Sequence, residues 1–252
     1  MRLFGSDRIA KLMDRMGMEE GEVIQHSMIT NSIERAQKKV EENNFGTRKR
    51  LLEYDDVMNK QRLVIYGLRK EVLQGGDRLD QIIVDMLSDV TGMILDTYAE
   101  ARVKPELWNL AGLSTALGQQ YGLQIDFAAQ DIHTADQLTE IVKKEVKRAF
   151  DEQIARLGPY FKQVEKMILL QTIDQRWKDH LQGIDHLREW TNMAAYAQRD
   201  PLVEYKQQAF KKFEELNYGI KAEVVEKFLK IQLVQQQPGE QRQPPPEIMN
   251  PE

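Results

Sequence analysis

The sequence predicts an all-α protein, and three observations carry that reading. From about Asn31 to Val72, apolar residues recur at three- and four-residue steps: Ile33, Ala36, Val40, Leu51, Tyr54, Met58, Ile65, Leu68 and Val72. That spacing places them on one stripe of a single long helix. Two more such stretches, 161–193 and 201–231, are joined by a short loop. The punctuation between stretches is that of helix ends: Gly75-Gly76, Pro105, Thr134 to Gln137, Gly158-Pro159 and Asp200-Pro201.

The long helix takes its charged faces from residues such as Glu34, Arg35, Lys38, Lys39, Glu41 and Glu42. Asn31 with Glu34 is read as a capping-box-like start, and Gly75-Gly76 as the stop. At 1.5 Å per residue the helix would span roughly 60 Å, a strut against which other elements are laid. Its weak point is Asn43-Asn44-Phe45-Gly46-Thr47, where low helix propensity permits a bend. Before it, residues 2–26 hold a short amphipathic segment (Ile9, Leu12, Met13, Met16), broken at Gly17, and a polar loop. That segment is too short to bury a core alone.

A second helix is expected from about Arg78 to Arg102, with Leu79, Ile82, Ile83, Met86, Val90, Ile94, Leu95 and Tyr98 inward. Residues 103–133 are less regular. Leu107, Trp108, Leu110, Leu113 and Leu117 suggest short helices, and 121–127 a brief extended piece. Thr134 and Gln137 form a capping box that opens a helix to about Leu157, with Leu138, Val142, Val146 and Phe150 inward. From Phe161, Val164, Ile168, Leu170, Ile173, Trp177, Leu181, Ile184 and Leu187 mark a helix that fades near Met193. Asp200 as cap and Pro201 at the first helical position start the next. Its stripe is Leu202, Tyr205, Ala209, Phe213, Leu216, Ile220, Val224, Phe228 and Ile231. These last two helices predict an antiparallel hairpin with arms of roughly 45 Å. From Gln235 the glutamine- and proline-rich composition predicts disorder. The expected domains are a scaffold first part at 1–76, an inserted helical subdomain at 77–158, a scaffold second part with the hairpin at 159–234, and a tail at 235–252.

Composition limits the function. The chain has 252 residues, 41% hydrophobic and 30% charged, with a formal charge of −5. A basic stripe, the footprint of a nucleic-acid partner, is not indicated. With no cysteine, thiolate nucleophiles, disulfides and cysteine-ligated zinc are excluded. No apolar run approaches the length of a membrane span, and the Met1-Arg2-Leu3-Phe4 start lacks a signal peptide's apolar core. Neither phosphate-cradling glycine motif occurs. His180 and His186 lie six apart, about 120° off a common helix face, so a metal site is disfavoured against packing or surface roles. Glu53, Asp55 and Asp56 form the densest acidic cluster. One helix turn supplies no opposed carboxylates for general acid–base work, so a solvated or interface-facing turn is the plain reading. Arg48, Lys49 and Arg50 read as a solvated basic face, or more sharply as a contact with an acidic neighbouring domain. Trp177 reads as core, anchoring the hairpin on the strut. Tyr196, flanked by Ala195, Ala197, Gln198 and Arg199, stands at the hairpin tip, where a turn residue and a binding aromatic are both open readings.

Several runs resemble the SecA family of bacterial preprotein translocase motor ATPases. They are Glu34 to Glu41, Asn44-Phe45, Arg48-Lys49, Leu51 to Val57, Gln171 to Asp174, Trp177 to Leu181, and Tyr196 to Lys206. The resemblance reaches to about Val234. It implies the helical scaffold domain of that family, split in two, with the helical wing domain inserted at 77–158. The strut would be the long scaffold helix, touching the nucleotide-binding folds and the preprotein-crosslinking domain through Arg48, Lys49, Glu53, Asp55 and Asp56. Residues 161–233 would include the two-helix finger that enters the cytoplasmic mouth of the SecYEG channel and restrains ATP turnover. Tyr196 takes the fingertip position that contacts the unfolded preprotein, with Ala195, Gln198 and Arg199 beside it. The run 190–195 reads Trp-Thr-Asn-Met-Ala-Ala where the family commonly has Gly-Ile-His-Leu-Arg-Gly. The family's cysteine–histidine zinc tail has no counterpart in these residues.

The expectation is therefore a mechanical and regulatory module of an export motor, at the inner face of the cell membrane. It would be no enzyme by itself and have no cofactor or metal of its own; ATP and Mg would belong to motifs upstream of residue 1. The alternatives are a stand-alone helical adaptor, which predicts no exposed apolar patch on residues 2–26 or the strut, and a helical metalloenzyme using His180, His186 and nearby acids.

Overall fold

In the computed structural model, the structure describes residues 27–76, 78–100, 102–128, 130, 132–194 and 200–232. The described residues form six α-helices and two short 3-10 turns, without strands. The helices are α1 (Ser27–Gln74), α2 (Arg78–Tyr98), α3 (Leu110–Tyr121), α4 (Ala135–Leu157), α5 (Phe161–Ala194) and α6 (Pro201–Lys230). The all-α reading holds, and α5 and α6 fold back on one another. The chain divides into two compact units, residues 1–64 with 183–211 and residues 65–182 with 212–252.

Helix α1 differs from expectation at its start. It already runs at Ser27, so Asn31 lies inside it and is not its cap. It also continues without interruption through Asn43–Thr47. There the Thr47 hydroxyl donates back to the Asn43 carbonyl at 3.0 Å, giving a polar side chain a partner within the helix. Gly75 and Gly76, at φ 66° and 98°, end it in the left-handed region that glycine enters at little cost.

In the unit of residues 1–64 and 183–211, a small core joins three helices. Ile184 and Leu187 of α5 meet Tyr205 and Ala209 of α6, and Tyr54, Val57 and Met58 of α1 pack on them. The buried Gln61 amide donates to the Ala209 carbonyl at 3.0 Å. Asp200 opens α6 as the sequence predicts: its carboxylate accepts from the Leu202 N–H at 2.8 Å. This satisfies a donor that the first helical turn leaves without an intrahelical partner.

In the unit of residues 65–182 and 212–252, α2 packs on α3 and α4. Helix α2 stops at Tyr98, earlier than the predicted Arg102, and Pro105–Leu107 forms a 3-10 turn. The Asn109 N–H donates to the Tyr98 carbonyl at 3.0 Å, and the Asn109 side chain caps α3 by accepting from Gly112. A side chain at Gly112 would collide with Asn109 and the Tyr98 ring, so the close approach of α2 to α3 requires glycine there. Of the extended piece expected at 121–127, Tyr121 is helical and residues 122–126 are irregular, without strand pairing. Tyr121 is the last residue of α3, its hydroxyl 2.9 Å from Thr91, and Gly122 (φ 73°) closes the helix. Burial pushes the Tyr121 phenol up to about 12.

The Thr134–Gln137 capping box is formed in both directions. Leu138, Val142, Val146 and Phe150 of α4 are all buried. Phe228 of α6 contacts Phe150 and Phe161, with ring centroids 5.3 and 5.8 Å apart. The buried Gln153 amide donates to the carbonyls of Phe228 and Ile231, at 3.0 and 2.8 Å, and so caps the end of α6. Arg176 pairs with Glu223, and Lys227 reaches Thr172. These pairs run in opposite senses along α5 and α6, which fixes their antiparallel register.

Candidate functional site

The marked features of the described helices are their exposed faces. On α1, every residue from Thr30 to Leu52 except Ala36 and Gly46 is exposed. The predicted stripe is therefore covered only in its second half. Ile65 and Val72 are buried, whereas Ile33, Val40 and Leu51 are not. Phe45 and Leu52, off that stripe, are 63% and 69% exposed. Apolar side chains are thus left exposed along this stretch beside charges of both signs.

The polar residues predicted for a domain interface share this helix. Arg48 and Lys49 are exposed, Glu53 is half-buried, and Asp55 and Asp56 are exposed. Asp56 pairs with Lys60 at 2.8 Å, one turn on, a surface contact of small energetic worth. Neither aspartate is buried against the chain's own helices. Just below them lies an arrangement that sequence reasoning missed. The Tyr54 and Tyr205 rings sit 4.7 Å apart, tilted at 56°, and the Arg188 guanidinium lies 5.8 Å from the Tyr54 ring. Burial raises the Tyr205 pKa; Arg188 opposes that shift, while Asp55, Tyr54 and Asp185 add to it. Tyr54 and Tyr205 belong to separate runs in the sequence, and the fold brings these two residues together. The signal was present in each run's aromatic residue, but not the pairing.

Tyr196, Ala195, Gln198 and Arg199 lie outside the described residues. Trp177 is core, as predicted: it meets Tyr66 of α1 edge-on at 6.3 Å and stacks on His180 at 5.5 Å. His180 is buried, with Phe213 at 6.0 Å on another side. Desolvation, with Lys212 adding to it, pushes its pKa down to about 4. His186 is exposed, so the two histidines do not converge. Among the described residues no three His, Asp or Glu side chains are grouped to hold a metal ion. Nor is any described helix long and apolar enough to cross a membrane.

Long helices, an exposed mixed face on one of them and an antiparallel pair are the architecture of a helical scaffold. The family follows from sequence comparison. A family model described as the SecA wing and scaffold domain matches residues 23–232, and the chain belongs to that family. The protein translocase subunit SecA of Bdellovibrio bacteriovorus is 48% identical over 237 residues, covering 94% of this chain and 26% of that protein. The protein translocase subunits SecA of Geotalea uraniireducens and Desulforapulum autotrophicum are 39% and 41% identical over 240 and 249 residues. These matches cover 94% and 97% of this chain, and 27% and 29% of those proteins. The chain thus spans between a quarter and a third of the length of the curated relatives it matches.

Proposed function

We propose that this chain is the mechanical and regulatory module of a protein-export motor. It would couple ATP-driven movement of nucleotide-binding folds to preprotein passage through the SecYEG channel, at the inner face of the cell membrane. The observation that carries this reading is the exposed stretch of α1, Thr30–Leu52, with its apolar side chains and charges of both signs. A stand-alone adaptor would be expected to seal such a face within its own fold. A motor module would leave it for the nucleotide-binding folds and the preprotein-crosslinking domain, with Arg48, Lys49, Glu53, Asp55 and Asp56 at that contact. The chain would carry no catalytic residues or cofactor of its own; ATP and Mg would be handled by the partner folds. The relatives' description as translocase subunits supports the assignment to export. Tyr196, with Ala195, Gln198 and Arg199, would meet the unfolded preprotein and the channel.

Two measurements test this. Mixing the chain with a separately made N-terminal portion of the motor is expected to restrain its ATPase rate; an unchanged rate over a full titration counts against the regulatory role. Tyr196→Ala in the complete motor is expected to impair translocation without altering the melting curve. Unchanged transport alongside a normal melt would remove Tyr196 from the preprotein contact.

A further inference from the structure

Glu165 of α5 stands out in the unit of residues 65–182 and 212–252. Its side chain is fully buried, and neither carboxylate oxygen has a hydrogen-bond partner. A buried ionised carboxylate with no donor is among the costliest arrangements a fold can hold. The charged groups acting on it are Asp80 from α2 and Lys162 from its own helix. The Lys162 ammonium is 3.8 Å from Glu165 Oε2, but its close partner is Asp80, with which it forms a salt bridge. One ammonium therefore faces two carboxyl groups. The cluster is neutral only if the two carboxyls carry one proton between them.

The surroundings give that proton a mechanical setting. Asp80 lies in the first turn of α2, just beyond the Gly75-Gly76 turn. Lys166, next to Glu165, donates to the Leu73 carbonyl at 2.8 Å, near the end of α1. So Lys162 and Lys166 of α5 fasten the two sides of the same turn. Asp80 and Lys162 are both partly exposed, which gives the proton a path to solvent.

We propose that Glu165, Asp80 and Lys162 form a proton-dependent latch that holds the start of α2 against α5. With the proton bound, the cluster is neutral and Glu165 has a hydrogen to donate toward Asp80. Without it, a net negative charge is left buried, Glu165 competes with Asp80 for Lys162, and the first turn of α2 is released. Burial, reinforced by Asp80 and opposed by Lys162, pushes the Glu165 carboxyl up to about 7, which places the switch close to neutrality. Once the latch opens to water, the carboxyl returns to the ordinary range near 4.3. The closed form then binds more protons than the open one, so opening is favoured as pH rises through that interval and levels off above it.

The test is amide exchange in the whole chain across residues 78–86 between pH 5 and 8, with the intrinsic exchange rate divided out. Protection is expected to fall by up to about tenfold per pH unit below pH 7 and then flatten, the limit for one linked proton. Glu165→Gln, neutral and nearly the same shape, is expected to hold protection constant over the range. A carbon-13 carboxyl titration of wild-type Glu165 provides a second reading that needs no variant. A midpoint near 4.3, or matching pH profiles for wild type and Glu165→Gln, would overturn the proposal.

Discussion

Replacing Tyr205 by alanine should loosen the junction between α1 and the start of α6. The ring is 1% exposed, among Ile184, Leu187 and Ala209, and packs on Tyr54. A buried aromatic side chain removes about 150–250 Å² from water, and at about 25 cal/mol per Å² this gives about 4–6 kcal/mol. Alanine retains part of that, and large-to-small aromatic changes typically cost about 3–5 kcal/mol. The 4.7 Å tilted contact with Tyr54 should appear as coupling of about 0.5–1.5 kcal/mol in a Tyr54→Ala, Tyr205→Ala cycle. Tyr205→Phe keeps both the ring and the pair and should cost about 1 kcal/mol or less. Urea titration followed by circular dichroism gives the overall loss. Because the chain has two units, all-or-none unfolding is not assumed, and amide exchange over 202–212 reads this core directly. A loss below about 1 kcal/mol for Tyr205→Ala, or strictly additive single changes, would refute the claim that this pair pins α6 to α1.

His180 makes a pH prediction of opposite sign to that of Glu165. Its folded pKa is pushed down to about 4 against about 6.5 in an unfolded chain. The unfolded state therefore binds more protons in that interval, and stability should fall as pH drops from about 6.5 towards 4. His180→Phe should flatten this acid limb in thermal melts; an unchanged limb would mean that His180 is not held neutral. Because the two groups act in opposite directions over overlapping ranges, a global melt mixes them, while local exchange at 78–86 separates them. Thr134→Ala breaks the capping box at α4 and should cost about 1 kcal/mol, read as a lower melting temperature, with Thr134→Ser largely restoring it. Gln153→Ala removes the side chain that caps α6 at Phe228 and Ile231. It should raise amide exchange at the end of α6 before it changes exchange at the start.

Much of the chain could be read as helices because the signals involved are local. The three-to-four spacing, the Thr134 capping box, the Asp200-Pro201 start and the glycines after α1 act within a turn or two of where they stand. The errors are local competitions as well. Asn31 has the chemistry of a cap, but the helix already runs at Ser27, the first described residue, so Asn31 lies inside it. The single helix that the sequence predicts does run through Asn43–Thr47, where low propensity is outweighed by continuity on both sides. The 121–127 segment has strand-forming residues but, among the described residues, no strand to pair with, and its tyrosine ends α3 against Thr91.

By itself, the sequence determined where apolar faces lie along each helix and where most helices begin and end. It also determined that α5 and α6 must return on one another, because a short loop joins two long periodic stretches. Only the tertiary structure decided which faces are covered. Ile33 and Val72 belong to one stripe and read alike, yet one is exposed and the other fully buried. It alone decided that Glu165, Gln153 and His180, all polar, lie inside, and that Tyr54 meets Tyr205. The reason is physical: helix formation is set by neighbours within four residues, whereas burial is set by whichever surface arrives from elsewhere in the chain or from a partner.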